Sequence, residues 1–332
     1  MGSDRLLVIG SNSFSGSHFA CSAVNANFEV IGISRSERPN SVFLPDRWHY
    51  ARLVEYPFYK IDLNGDLTEL FELMSDYKPT HVVNFAAQGM VAESWKNPLD
   101  WYKTNVIAQI RLHDLLRKLD SLKKYIHVST PEVYGSNSGW ISENYNFAPS
   151  TPYAASRAAC DLHLLTYFKG HNFPVIFTRA ANVYGPGQQL YRIIPRAILA
   201  ATSGIKLDLH GGGLSERSFI HINDVASATL QICKMGQLGE TYHISGKELI
   251  SIKNLVGKVA TIYGKSLEDL AIIGEERLGK DQAYKLGSDR IRSELNWREA
   301  MPFDMGLNET VSWVDANFEE FQNLKWHYEH KS

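Results

Sequence analysis

Apolar residues occur along this chain in short, nearly continuous runs. Arg5-Leu-Leu-Val-Ile9, Glu29-Val-Ile-Gly-Ile-Ser34, His81-Val-Val-Asn84, Tyr125-Ile-His-Val128 and Pro174-Val-Ile-Phe-Thr-Arg179 are each rich in β-branched residues. Runs of this kind predict strands buried on both faces, the pattern of a parallel sheet. Between them lie helical stretches. Ser150, Thr151 and Pro152 precede Tyr153-Ala-Ala-Ser-Arg157, and Ala154 to Ala159 favour helix, so a helix is expected to open there. Asp224 is expected to cap another, Val225 to Met235. Strands alternating with helices predict an α/β chain with a doubly wound parallel sheet.

The ends of these strands carry the candidate chemistry, because ligands of an open α/β sheet sit at the carboxyl edge. After the first strand, Gly10-Ser-Asn12-Ser13-Phe14-Ser15-Gly16 is a small-residue turn into a helix, where backbone amides and the positive helix end meet a pyrophosphate. The second strand ends on Ser34-Arg35-Ser36 and offers no carboxylate for a ribose 2′-hydroxyl. A hydroxyl and a guanidinium suit a 2′-phosphate, so NADP is expected ahead of NAD. The third run leads into Ala86-Ala87-Gln88, small enough for a dinucleotide to pass closely. Thr130, Pro131 and Glu132 follow the Tyr125 strand, and a spacing of four puts Tyr153 and Arg157 on one helix face. A phenol, with a pKa of about 10, becomes a useful base near neutrality only beside a fixed positive charge.

Composition narrows the picture. The chain of 332 residues, 44% hydrophobic with a net charge of -2, suits one large domain or two intimately joined ones and has no basic face for nucleic acid. It has no apolar run long enough for a bilayer and no polybasic segment, and Met1-Gly-Ser-Asp-Arg does not read as a signal peptide, so a cytoplasmic protein without membrane partners is expected. Cys21, Cys160 and Cys233 lack metal-ligand spacing; free thiols and no metal are expected.

These segments, in this order, resemble the extended short-chain dehydrogenase/reductase family, in particular its NAD(P)-dependent sugar-nucleotide dehydratases and epimerases. The carriers are the glycine turn, Asn84-Phe-Ala-Ala87, Thr130 with Tyr153-x-x-x-Arg157, Arg179-x-x-Asn182-x-Tyr-Gly-Pro186, and Gly211-Gly-Gly before Arg217. The resemblance implies a Rossmann-type sheet over 1–178 and 217–246, with a smaller mixed α/β cap over 179–216 and 247–332. It implies a nucleotide-diphosphate sugar as substrate. Asp62 and Leu63 would meet the adenine, Asn105 would hold the active-site geometry near the cofactor, and Met90, Asn182, Arg192 and Arg217 would line the substrate. A homodimer through Thr104 to Lys118 and Tyr153 to Lys169 is also implied.

The family's shared first step assigns Tyr153 as base and Thr130 as its partner at the sugar 4-hydroxyl. In 4,6-dehydratases a glutamate then removes the hydrogen on carbon 5, and Glu132 stands at that place. Three departures mark the chain: Ser13 replaces a glycine, Pro131 an aspartate of the dTDP-glucose branch, and Arg157 the usual lysine. The GDP-mannose branch manages without that aspartate and uses NADP, so the expected activity is an NADP-dependent sugar-nucleotide 4,6-dehydratase. A decarboxylase, an epimerase, a 4-keto reductase and a non-catalytic dinucleotide binder are the alternatives.

Overall fold

A computed structural model describes residues 4–45, 54–136, 139–274 and 285–330; the start of the Met1-Gly-Ser-Asp-Arg segment lies outside them. The apolar runs pair into one parallel sheet. Its strands are β1 (Arg5–Ile9), β2 (Glu29–Ser34), β3 (Phe58–Lys60), β4 (His81–Asn84), β5 (Lys124–Val128), β6 (Val175–Ala180) and β7 (Thr241–Ile244), in the order β7-β6-β5-β4-β1-β2-β3. Leu7 pairs with Ile31 on one side and Val82 on the other, and Ile126 pairs with Val83 and Ile176. The chain runs outward from β1 to β3 and returns to place β4 beside β1. That reversal opens a crevice at the carboxyl edge between them.

Strand alternation sends side chains to two layers. Leu6, Val8, Val83, Ile126 and Ile176 pack on one face with Phe19 of α1 (Phe14–Asn25). Leu7, Ile9 and Val82 pack on the other with Leu70 of α2 (Thr68–Tyr77), Leu112 of α3 (Ala108–Leu116) and Leu164 of α4 (Pro152–His171). Each such side chain contributes about 1.5–3 kcal/mol by leaving water. A third cluster lies beyond the carboxyl edge. It joins α5 (Ile193–Ser203), α6 (Ile222–Met235) being absent from it, to α7 (Ile252–Ile262) and α8 (Phe303–Ala316) through Ile198, Leu255, Val259, Leu307 and Val314. Trp313 ties this cluster to the loop after β2 by donating to the Val42 carbonyl at 3.0 Å. Ile291, Leu295 and Trp297, from the stretch expected with the cap, pack instead into the Leu6 layer of the sheet.

Local chemistry sets the helix starts. Thr151 caps α4, its hydroxyl accepting from the Ala154 amide at 3.2 Å, and Pro152 occupies the first turn, where no amide donor is needed. Asp224 does not cap α6, as the sequence suggested. The helix begins earlier, at Ile222, with His221 as its cap, and the Asp224 carboxylate accepts from the Ala300 and Met301 amides at 2.8 and 3.1 Å. A π-helical turn, Lys103–Ile107, precedes α3.

Candidate active site

The carboxyl edge opens into three adjoining clefts, of about 830, 410 and 390 Å³. The 410 Å³ cleft is the expected adenosine end: Gly10, Asn12, Ser13, Ser34, Arg35, Asp62, Leu63, Ala86, Ala87 and Gln88 all line it. Gly10 has φ +79°, and a Cβ there would meet the Ala86 amide nitrogen at 2.8 Å. Only glycine gives both that backbone and that gap. Ser13 is accommodated because its φ is −73°; its hydroxyl accepts from the Gly16 amide at 3.1 Å and caps α1. The Asn12 backbone N–H donates to the Ser34 hydroxyl at 3.0 Å, while the buried Asn12 Oδ1 has no partner among the described residues. The small-residue turn at the start of α1 suits a pyrophosphate, and the open Asn12 acceptor suits a hydroxyl or amino donor of a dinucleotide. Phe14 and Ser15 line the larger cleft.

Two expected contacts sit elsewhere. Gly16 lies behind the turn, against the Gly10 carbonyl, and lines no cleft; it lets α1 close on β1. Asn105 is fully buried in the π turn. It accepts from the Gln88 amide at 2.8 Å and donates to the Gln88 carbonyl and to Ser156 Oγ at 3.1 and 3.0 Å, so it braces the loop after β4 against α4. This use of a π turn matches its frequent place at functional sites.

Thr130, Glu132, Tyr153 and Arg157 come together in the 830 Å³ cleft. Pro131 starts a short 3₁₀ turn, Pro131–Tyr134, capped by the Thr130 hydroxyl, which accepts from the Glu132 amide at 3.4 Å. Proline's fixed φ therefore turns Glu132 inward, where it lines the 830 and 390 Å³ clefts alike. Burial pushes the Tyr153 phenol up to about 12, and Glu132 adds to the rise. Arg157, a hydrogen bond with Thr130, and Arg192 act in the opposite sense. The 390 Å³ cleft carries the expected substrate side, lined by Met90, Asn182, Arg192 and Arg217.

Similarity to known proteins decides the family. The description "NAD dependent epimerase/dehydratase family" matches residues 6–245. This chain belongs to the NAD dependent epimerase/dehydratase family. The dTDP-glucose 4,6-dehydratase of Streptomyces antibioticus is 30% identical over 330 residues, 97% of this chain and 95% of that protein. A crystal structure of the dTDP-glucose 4,6-dehydratase DesIV from Streptomyces venezuelae, with NAD and TYD bound, superposes with a TM-score of 0.88 at 30% identity. The match covers 97% of this chain and 100% of that one. A trifunctional UDP-glucose 4,6-dehydratase/UDP-4-keto-6-deoxy-D-glucose 3,5-epimerase/UDP-4-keto-L-rhamnose-reductase of Arabidopsis thaliana is 31% identical over 266 residues. That is 79% of this chain and 40% of the longer protein.

Within this family member, several residues escaped the sequence reading. The segment with Leu324, Lys325, His327, Tyr328 and Glu329 lines the large cleft. Tyr328 meets Tyr191 edge-on with ring centroids 5.4 Å apart, and His330 bonds Asp100 at 2.6 Å. No local pattern in the sequence signals that a C-terminal stretch returns to the site. Asp161 was more accessible to reasoning: it lies four residues after Arg157, on the same helix face. Among the described residues, His113, His127 and Cys160 bring potential metal-ligating atoms within 4.8 Å of one another. The Arg157 guanidinium, 3.3 Å from His127 Nε2, opposes a cation there.

Proposed function

We propose that this chain is a sugar-nucleotide 4,6-dehydratase, a hydro-lyase that forms a 4-keto-6-deoxy sugar nucleotide. The observation that carries this is the meeting of Thr130, Glu132 and Tyr153 in one cleft, with Glu132 at its junction with the Arg192–Arg217 cleft. A bound nicotinamide would supply the acceptor for the hydride of carbon 4 and later its donor to carbon 6. The chain's own residues handle the protons. Arg157 and the positive charge of an oxidised nicotinamide would offset the rise that burial gives the Tyr153 phenol, and the phenolate takes the proton of the sugar 4-hydroxyl while Thr130 bonds the same oxygen. The resulting 4-ketone acidifies the hydrogen on carbon 5. Glu132 removes that proton and passes it to the hydroxyl leaving carbon 6 as water; with proline at 131, one carboxylate serves as base and acid. The Tyr153 proton, through solvent, restores the hydrogen on carbon 5. Atoms balance to the loss of one water.

The nicotinamide dinucleotide is proposed to be held by Gly10, Asn12, Ser13, Phe14, Ser15, Ser34, Arg35, Asp62, Leu63, Ala86, Ala87 and Gln88. Ser34 and Arg35, with no carboxylate at the end of β2, support NADP, whereas DesIV was solved with NAD. Dissociation constants for the two, in wild type and Arg35→Ala, decide between them. Asn182, Arg192 and Arg217 are proposed to hold the diphosphate and sugar. A homodimer through Thr104 to Lys118 and Tyr153 to Lys169 is proposed from the family pattern, supported by the exposure of Ile107 and Leu162. Among the described residues no helix is long and apolar enough to cross a membrane; a cytoplasmic location is proposed.

The test is mass spectrometry after incubation with dTDP-, UDP-, GDP- and CDP-sugars and dinucleotide. Loss of one water from one substrate, without net cofactor consumption, is expected. Loss of carbon dioxide from a uronate, or epimerisation without mass change, contradicts the proposal.

A further inference from the structure

Below Thr130 and Tyr153 lies a line of buried polar side chains that the proposed reaction does not use. Asn84 Nδ2 donates to the Tyr125 hydroxyl at 2.9 Å, and that hydroxyl is 3.3 Å from His127 Nδ1. His127 Nε2 is 3.3 Å from Asp161 Oδ1, while Asp161 Oδ2 accepts from Ser129 Oγ and Arg179 Nη2, each at 2.7 Å. His127 Nε2 also lies 3.3 Å from Arg157 Nη2, which can only donate, and the Tyr125 hydroxyl lies 3.1 Å from His113 Nε2. Asp161 Oδ1 has no hydrogen-bond partner among the described residues, so Nε2 accepts from Arg157 Nη2 and Nδ1–H donates to the Tyr125 hydroxyl.

Arg157 enters this line from α4. It is 2% exposed; its Nη2 donates to the Val128 carbonyl and lies 3.3 Å from His127 Nε2, and its Nε has no partner among the described residues. Two buried guanidinium groups, Arg157 and Arg179, thus face one buried carboxylate, and only Arg179 touches it. Opposite charges in a poorly polarisable interior attract strongly, so Arg157 is drawn towards Asp161. The His127 ring stands between them, 3.3 Å from each.

We propose that His127 is a positioning residue for Arg157: the ring keeps the guanidinium from pairing with Asp161 and so keeps its charge beside the Tyr153 phenol. This rests on the reading of Tyr153 as the base. The forked guanidinium suits the task, bonding a carbonyl with one nitrogen while its charge serves the cleft. The charged groups around the pair are Glu132 and Arg192 on the cleft side and Asp161 and Arg179 below. His127 and His113 also face it, and burial lowers the pKa of both, which keeps them neutral.

The test is a two-by-two cycle of His127→Ala and Arg157→Met, with His127→Gln as the conservative variant, on pH profiles of kcat for the sugar nucleotide converted in the panel above. His127→Ala is expected to lower kcat at neutral pH about tenfold and move the rising limb up by about one pH unit. His127→Gln, which keeps a donor and bulk, is expected to restore both. With methionine at 157, His127→Ala is expected to have no further effect on kcat. Additive losses, or a lowered melting temperature with kcat and the limb unmoved, overturn the inference. Should wild type convert no sugar nucleotide, the dehydratase reading has failed separately. The same variants are then read by tyrosinate absorbance against Tyr153→Phe with NAD present. An upward shift in His127→Ala that His127→Gln lacks supports the positioning role, and equal curves overturn it.

Discussion

The two halves of the cleft are built by different means. The half proposed for the dinucleotide is a matter of backbone: Gly10 at φ +79°, small Ala86 and Ala87, and the start of α1 capped by Ser13. The half proposed for the sugar nucleotide depends on side chains from distant segments, Glu132 after β5, Arg192 before α5 and Arg217 beyond them. Tyr153 and Arg157, on α4, lie at the seam. A half made of backbone shape fails sterically when a Cβ is added. A half made of long side chains fails one interaction at a time.

The largest effects are expected at the seam. Tyr153→Phe and Glu132→Gln should each lower kcat about 10²–10⁴-fold, measured by product formation, while dinucleotide affinity stays within a few fold. An equal collapse of dinucleotide binding would mean that the two halves are not separable. Gly10→Ala comes next. Its Cβ would press on the Ala86 amide and its backbone would be strained, so dinucleotide affinity should fall about 10–100-fold by calorimetric titration. Arg217→Ala should raise KM about 10-fold with kcat little changed, as expected for a charge-assisted contact made equally in ground and transition states.

The smallest effect is on stability, and it comes from below both halves. Burial pulls the His243 imidazole down to about 3, with Arg179 beside it, and burial likewise lowers His113, His127 and His81. Unfolded imidazoles titrate near 6.5. The unfolded chain therefore binds protons that the folded chain refuses. The stability from these groups is complete above pH 6.5 and is lost as pH falls towards the folded values. For His243 the loss is about 1.4 kcal/mol per pH unit below 6.5, and thermal melting between pH 7 and 5 should show it. Asp161 works at lower pH. Burial would raise its carboxyl, but Arg179 and His127 outweigh that and hold it well below the usual range, so its share is lost only below about pH 4.

The same contrast explains what could be read from the sequence. The sheet, the glycine turn and the helix carrying Tyr153 follow from local periodicity, caps and punctuation, and each appears where its residues predict. Thr130, Glu132 and Tyr153 were legible because a strand end and a helix start place them. Asn105 was legible as a brace, but not its full burial or its π turn, because tertiary packing and not local propensity sets both. Asp224 misled because carboxylates favour caps, yet the helix began earlier and the carboxylate met the amides of Ala300 and Met301 instead. The return of Tyr328 to the cleft depends on contacts more than a hundred residues apart, which no window of sequence contains.

The most direct test of the central claim is the mass of the product formed in D₂O. If Glu132 removes the hydrogen on carbon 5 and solvent protons replace it, the product lacks one water and carries one deuterium, on carbon 5. A product that lacks water but carries no deuterium, or one that keeps its water, would contradict the role given to Glu132.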